Sequence, residues 1–452
     1  MTKRSSGKNK RVQDALSPAA AQQVGIRWFC DDETSNDITL NANHAVSSRW
    51  RQMLTIAGPG LVVMLADTDA GSVITAAQSG AQWGYKLLLL QAILMPILFV
   101  VQELTVRLGV VTGRGHGELI REHFGRGWAW LSVSTMAVAC LGALVTQLSG
   151  LAGVAQLFGV PVWQILVLTI SMIVVMVCTG SYRSVERIAI VFGLFELAFI
   201  GVAWRAAPQV GQVAAQLTAI PLGDNGFLYL AAANIGAVIM PWMVFYHQSA
   251  VVDKGLTVRH LKVLRWDTAV GAVITQLVMA AVLIAVAATI GQTGAGVSLD
   301  NVPQIASALT PFLGATMGRI VFAFGISGAA LVATIVVSLT AAWGLGEVAG
   351  YRRSLSDHPR EAPWFYGIFT AALIAAGLVV GSGVNLVRLS VAIEVMNALL
   401  LPIVLGFLFL LARRALLAPY RLAGPYAWLV GAVILMTTGF GLYAGLAGVF
   451  GG

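Results

Sequence analysis

Eleven apolar runs, each long enough to cross the ~30 Å hydrocarbon core of a bilayer as a helix, divide this 452-residue chain near 53–79, 86–110, 128–157, 162–181, 187–205, 227–252, 267–291, 312–347, 364–382, 387–412 and 425–449. No other feature restricts the fold as strongly, because a backbone in lipid must satisfy its own hydrogen bonds. Composition agrees. Only 11% of the residues are charged and 58% are hydrophobic, whereas a soluble domain carries about 25% charged residues. The expectation is an all-α integral membrane protein with eleven transmembrane helices.

Charges outside the runs supply an orientation. The first 50 residues, beginning MTKRSSGKNKRVQDALSPAAAQQ, are polar and show no cleavable signal pattern, so 1–50 reads as a cytosolic tail. With that end inside, 24 of the 28 Lys and Arg residues fall on the cytosolic side, and only Lys86, Arg205, Arg319 and Arg388 on the other. The positive-inside rule is thereby met, with the C-terminus extracytoplasmic and the setting a plasma (cell inner) membrane. The net charge of +8 then reflects topology and anionic lipid, with no nucleic acid implied. Cys30, Cys140 and Cys178 stand at no ligand spacing, which argues against a disulfide framework or a metal–thiolate centre. GRGHGE at 113–118 follows a membrane helix instead of a strand, so it is not read as a nucleotide loop.

Charges inside the runs carry the functional information, since an ionisable group in a bilayer is costly. Most have local explanations. Glu103 and Arg107 stand four apart on one helix face, the spacing of an ion pair, and Arg319, Glu347 and Arg388 lie near span ends. Asp67 and Asp69 have no such explanation: they are in mid-span, followed by Gly71 and Ser72, so that DAGS separates two good helical halves. The sixth run has a matching oddity. In NIGAVIMPWMVFYHQSA, Pro241 lacks a backbone donor and frees the carbonyl of Ala237.

Broken first and sixth spans mark two inverted five-helix repeats, the architecture of an alternating-access transporter. The expected division is 51–205, 206–415 and an added eleventh helix in 416–452. Two aspartates at the break would repel a carboxylate substrate. Carboxylates with unwound carbonyls suit a hard divalent cation, and a thioether extends tolerance to softer ones.

At these residues the chain resembles the Nramp divalent metal-ion transporters, from about Gly58 to the tenth span. Asp69, Ala70, Gly71 and Ser72 stand where the family has D-P-G-N, QELTVRLGVVTGR (102–114) is close to its Q-x-L-x-x-R-L-G-x-V-T-G, and GAVIMPW (236–242) matches its G-A-x-V-M-P-H. His247 falls where the family has a second histidine. The resemblance implies a LeuT-like fold of five plus five inverted helices and one extra. It also implies an ion held by the Asp69 carboxylate, the Met240 thioether, the Ala237 carbonyl and the residue at 72, with no cofactor and no partner protein, only the bilayer and the transported ion.

Departures from the pattern are as informative. Ser72 replaces an asparagine, Ala70 a proline and Trp242 a histidine, while Asp67 adds an acid. Between Arg126 and Arg183 there is no Asp, Glu, His, Lys or Arg; positions that are acidic in proton-coupled manganese importers become roughly Ala143 and Thr146. This looks like the Nramp-related magnesium branch, without proton coupling, with Asp67 as a further ligand. The retained Met240 speaks for the alternative, a proton-coupled Mn²⁺/Fe²⁺ transporter, for which His247, Glu196 or Glu394 would be the relay. Glu394 with Asn397 one turn on is the next acid of interest. A metal sensor or a channel is the remaining alternative. An enzyme is not expected, because the six histidines fall at no catalytic spacing.

Overall fold

The computed structural model describes residues 58–179, 191, 194–291, 297–351 and 358–450, so the expected cytosolic tail, with Cys30, lies outside the described residues. Within them the chain is helical, with sixteen α-helices and short 3₁₀ turns. The first half runs α1 (Pro59–Asp67), α2 (Ala70–Trp83), α3 (Leu88–Thr112), α4 (His116–Phe124), α5 (Arg126–Leu157), α6 (Val162–Thr179), a 3₁₀ turn at Leu194–Leu197, α7 (Ala198–Ala206) and α8 (Val210–Thr218). The second runs α9 (Asn225–Val238), α10 (Pro241–Asp253), α11 (Leu261–Thr289), α12 (Val302–Leu313), α13 (Ala315–Ala349), α14 (Pro363–Gly381), α15 (Leu386–Arg414) and α16 (Gly424–Phe450).

Among the described residues eight helices are long and apolar enough to cross a membrane, or nine when the bent pair α1 and α2 is one span. The sequence led us to expect eleven. The expected fourth is α6, a shorter apolar helix, and most of the first half of the fifth lies outside the described residues. Sequence reading missed the short helices α4, α8 and α12, which sit in connections.

Both expected breaks are present. Between α1 and α2 the chain bends by 46° at Thr68–Asp69. Asp69 is the N-cap of α2, its Oδ1 accepting from the Ser72 backbone N–H at 2.7 Å, which satisfies a donor that every helix start leaves open. In the sixth span α9 ends at Val238, and Pro241 opens α10 at its first position with Met240 as N-cap. There the missing N–H costs nothing and the fixed φ suits the helix, so Pro241 starts a new helix instead of kinking an old one.

The broken spans sit inside the bundle. Span one packs along α11, which also contacts α3; α5 packs on α13 and α15; α9 lies between α15 and α16. Asp267 of α11 accepts from the amides of Gly58 and Gly60 at 3.2 and 2.8 Å, capping α1 from another span. The expected Glu103–Arg107 pair forms at 2.5 Å, and Arg265 of α11 joins it at 2.7 Å. Between spans, His116 of α4 is buried on Phe245 and 3.0 Å from Gln248 Oε1; burial pushes its imidazole down to about 4, leaving a neutral peg between α4 and α10.

Candidate metal site at the two helix breaks

Asp67, Asp69, Ser72, Ala237 and Met240 are all buried at 1% exposure or less. Several are joined directly. The Ser72 hydroxyl donates to the Ala237 carbonyl at 3.0 Å, linking the two breaks through the acceptor that Pro241 leaves without a backbone donor. Both oxygens of Asp69 are held, Oδ1 by the Ser72 amide and Oδ2 by the Gln147 side-chain amide at 2.6 Å. Gln147 Oε1 in turn accepts from the Ala70 backbone N–H at 3.0 Å. One side chain of α5 thus clamps the acid and the first residue of the helix it caps.

Gln147 is the residue that a search for charges misses. The third span has no ionisable group, yet a buried amide in an apolar helix demands partners just as a charge does. That signal was available in the sequence.

Met240 lies at the second break, with its sulfur accepting from the Trp242 indole N–H at 3.0 Å. Trp242, standing where the family has histidine, therefore orients the thioether. His247 is placed elsewhere: its Nδ1 is 2.9 Å from Gln102 Oε1 of α3, an interhelical contact.

Glu394 enters from α15. Its Oε2 accepts from Asn397 Nδ2 at 2.9 Å, one turn on in the same helix. Its Oε1 has no hydrogen-bond partner and lies so close to Gly71 that a Cβ there would collide with it, while its backbone carbonyl leaves no room for a Cβ on Gly236. Glu394 is thus wedged between the glycines of both breaks. From the fifth span, Glu196 reaches Thr68 with Oε2, and its Oε1 has no partner among the described residues. Neither oxygen of Asp67 has a hydrogen-bond partner either.

Four buried carboxylates therefore surround the break, and Asp67 lies within electrostatic reach of Asp69, Glu394 and Glu196. Among the described residues no Lys, Arg or His forms an ion pair with any of the four. Among the described residues no three His, Cys, Asp or Glu side chains form a preassembled metal cluster. The donors available are mixed instead: carboxylate, hydroxyl, main-chain carbonyl and thioether. Such a set can hold a divalent ion that brings some of its own water.

Over residues 60–447 the chain matches the family described as Nramp, natural resistance-associated macrophage protein-like. The divalent metal cation transporter MntH of Granulibacter bethesdensis is 28% identical over 432 residues, 91% of this chain and 92% of that one. MntH of Mesorhizobium japonicum is 25% identical over 466 residues, 96% and 99% of the two chains. In three dimensions the Eremococcus coleocola manganese transporter, solved with an aromatic bis-isothiourea substituted compound, aligns with a TM-score of 0.68 at 19% identity over 93% of this chain and 90% of its own. MhsT in complex with L-phenylalanine aligns at 0.57 and 15% identity, over 87% and 97%. At those identities the two structures establish the fold, the LeuT-like helical arrangement expected from the sequence.

Proposed function

The chain belongs to the Nramp family of divalent metal cation transporters, and from that premise we propose that its cargo is a transition metal of the manganese class. It is a multi-pass membrane transporter and not an enzyme, and no cofactor is implied. The observation that carries the proposal is the pairing of buried carboxylates at one break, three of which have an oxygen unpartnered among the described residues, with a buried, indole-oriented thioether at the other. A divalent cation supplies the missing positive charge. A polarizable sulfur beside it favours manganese and iron over magnesium. The names of the relatives, divalent metal cation and manganese transporters, lean the same way, against the magnesium preference drawn from the sequence.

In this reading the ion is held by Asp69, the Ala237 carbonyl, Met240 and Ser72, whose hydroxyl turns from Ala237 to the metal. Gln147 holds Asp69 in place, and Trp242 holds Met240. Span one and span six head two five-span repeats, 51–205 and 206–415, followed by a last helix in 416–452. The basic loops put the N-terminus in the cytoplasm and the C-terminus outside the inner membrane.

A magnesium cargo is the second reading, and Asp67 favours it. An extra carboxylate with both oxygens unpartnered suits a hard ion that keeps several waters. Uptake by reconstituted vesicles separates the two. Saturable Mn²⁺ uptake that millimolar Mg²⁺ barely inhibits is the expected result; saturable Mg²⁺ uptake with Mn²⁺ ignored would establish the second reading, and flux without saturation would favour a channel.

A further inference from the structure

The last two helices part at one end. Between the final turns of α15 and the first turns of α16 lies a cleft of about 380 Å³, lined among others by Phe409, Arg413, Trp428, Ala432 and Leu435. Phe409 is its floor, packed so closely on Gly431 that a Cβ there would stand 3.1 Å from the ring. The Arg413 guanidinium lies over that ring, 5.8 Å from its centre, a cation–π contact that leaves its N–H donors unused. Among the described residues it makes no hydrogen bond and no ion pair. None is available nearby. From Val395 to Gly452 the chain has three arginines, Arg413, Arg414 and Arg421, and no acid, while on α3 and α4, which pack against α15, Glu103 and Glu122 already have arginine partners. The counter-ion has to come from outside the chain.

The polarity of the cleft says what kind of anion fits. At one end are the cation and Trp428, an indole 80% exposed of the kind that marks the headgroup level of a bilayer. At the other is Leu435, 73% exposed and seven residues, or about 10 Å, further along α16. A cation at the interface followed by apolar side chains deeper in has the polarity of a phospholipid reversed in sign. We propose that the α15–α16 cleft is a binding site for one anionic phospholipid, its phosphodiester on Arg413 and an acyl chain along Ala432 and Leu435. Basic pockets between membrane helices on the cytoplasmic side recognise anionic headgroups in this way, and free phosphate would leave the apolar half of the cleft unused. The lipid would join α15, which carries Glu394, to α16, which packs on α9, the half of span six that carries Ala237. It braces the back of the candidate metal site without touching the metal.

The inference rests on the orientation proposed above only for the choice of leaflet, so the test is made in micelles of a neutral detergent, which have no leaflets, and without metal. Full-length protein is titrated with phosphatidylglycerol, phosphatidylcholine or inorganic phosphate, bound lipid is counted by native mass spectrometry, and stability is followed by thermal melting. One phosphatidylglycerol should be retained about fivefold more strongly than phosphatidylcholine, the weight of one basic residue for a lipid of net negative charge, and it should raise the melting temperature as a ligand of the folded state does. Arg413→Gln should weaken its retention about tenfold, the loss of a charge-assisted hydrogen bond. Arg421→Gln, on the same connection but outside the cleft, should change it by less than about twofold. Ala432→Trp fills the cleft and keeps the charge, so it should abolish retention, and it decides the matter should Arg413→Gln not fold. Equal retention of the two lipids, equal losses in Arg413→Gln and Arg421→Gln, or undiminished retention in Ala432→Trp overturns the site. Inorganic phosphate that raises the melting temperature as much as phosphatidylglycerol does overturns the lipid as its occupant.

Discussion

In the first span the helix stops at Asp67 and resumes at Ala70, crossing Thr68 and the carboxylate of Asp69; in the sixth it stops at Val238 and resumes at Pro241, crossing Ile239 and Met240. The two interruptions are equally short and equally buried, yet their chemistry is opposite. At the first, side chains from three other spans converge: Gln147, Glu196 and Glu394. At the second, the donor groups are a buried carbonyl, bonded by Ser72 of the first break, and a buried sulfur held locally by Trp242. The difference teaches a division of labour. In the proposed site, charge compensation would draw any divalent cation to span one, while the donor from span six would decide which cation is preferred.

The strongest way to break that picture is Asp69→Asn. Asparagine still caps α2, so the protein should remain monodisperse on gel filtration. Losing the anionic ligand should cost about 3 kcal/mol or more, which is a loss of at least about 100-fold in uptake for every divalent ion. Near-normal uptake would take Asp69 out of the site.

Gln147→Leu tests whether the first break is held from outside. It leaves Asp69 free to turn and the Ala70 amide unpaired, and groups that orient a metal ligand are worth about 10- to 100-fold in affinity. Calorimetry should show losses of about tenfold, equal for Mn²⁺ and Mg²⁺. Met240→Ala sharpens the contrast, because its loss should be unequal: about tenfold for Mn²⁺ and under about twofold for Mg²⁺. Equal losses for both ions would put the thioether in a packing role.

The smallest effect is expected at His247. Its contact is with Gln102 of α3, and independent sites contribute independently, so His247→Ala should change Mn²⁺ affinity by less than about twofold. A tenfold loss would return the histidine to the site.

What could be read from the sequence was whatever a single helix dictates. Bilayer-length runs located the long helices, Asp67–Ser72 and Pro241 located both breaks, and Glu103–Arg107 and Glu394–Asn397 were visible as neighbours one turn apart. Contacts between distant segments were not visible. Gln147 meets Asp69 across 78 positions and Glu196 meets Thr68 across 128, and no local periodicity encodes such a meeting. A rule that looked only for charge also passed over Gln147. The connecting helices α4, α8 and α12 escaped for another reason, since nine to twelve residues give too few turns for a helical pattern to stand out.

Glu394 packs its carboxyl against Gly71 and its backbone against Gly236, and this has a consequence for how the sequence can drift. A methyl group at Gly71 would meet the end of the Glu394 side chain and Thr146, so an alanine there requires the carboxyl to swing aside or the residue at 394 to shorten. Position 236 has no such escape, because it meets main chain, which no substitution at 394 removes. The two glycines therefore have unequal freedom: a side chain at 71 asks another side chain to yield, and one at 236 asks a helix to move off its neighbour. In a saturation library selected for uptake, Gly71→Ala should be enriched beside a smaller residue at 394, and Gly236 should remain glycine throughout.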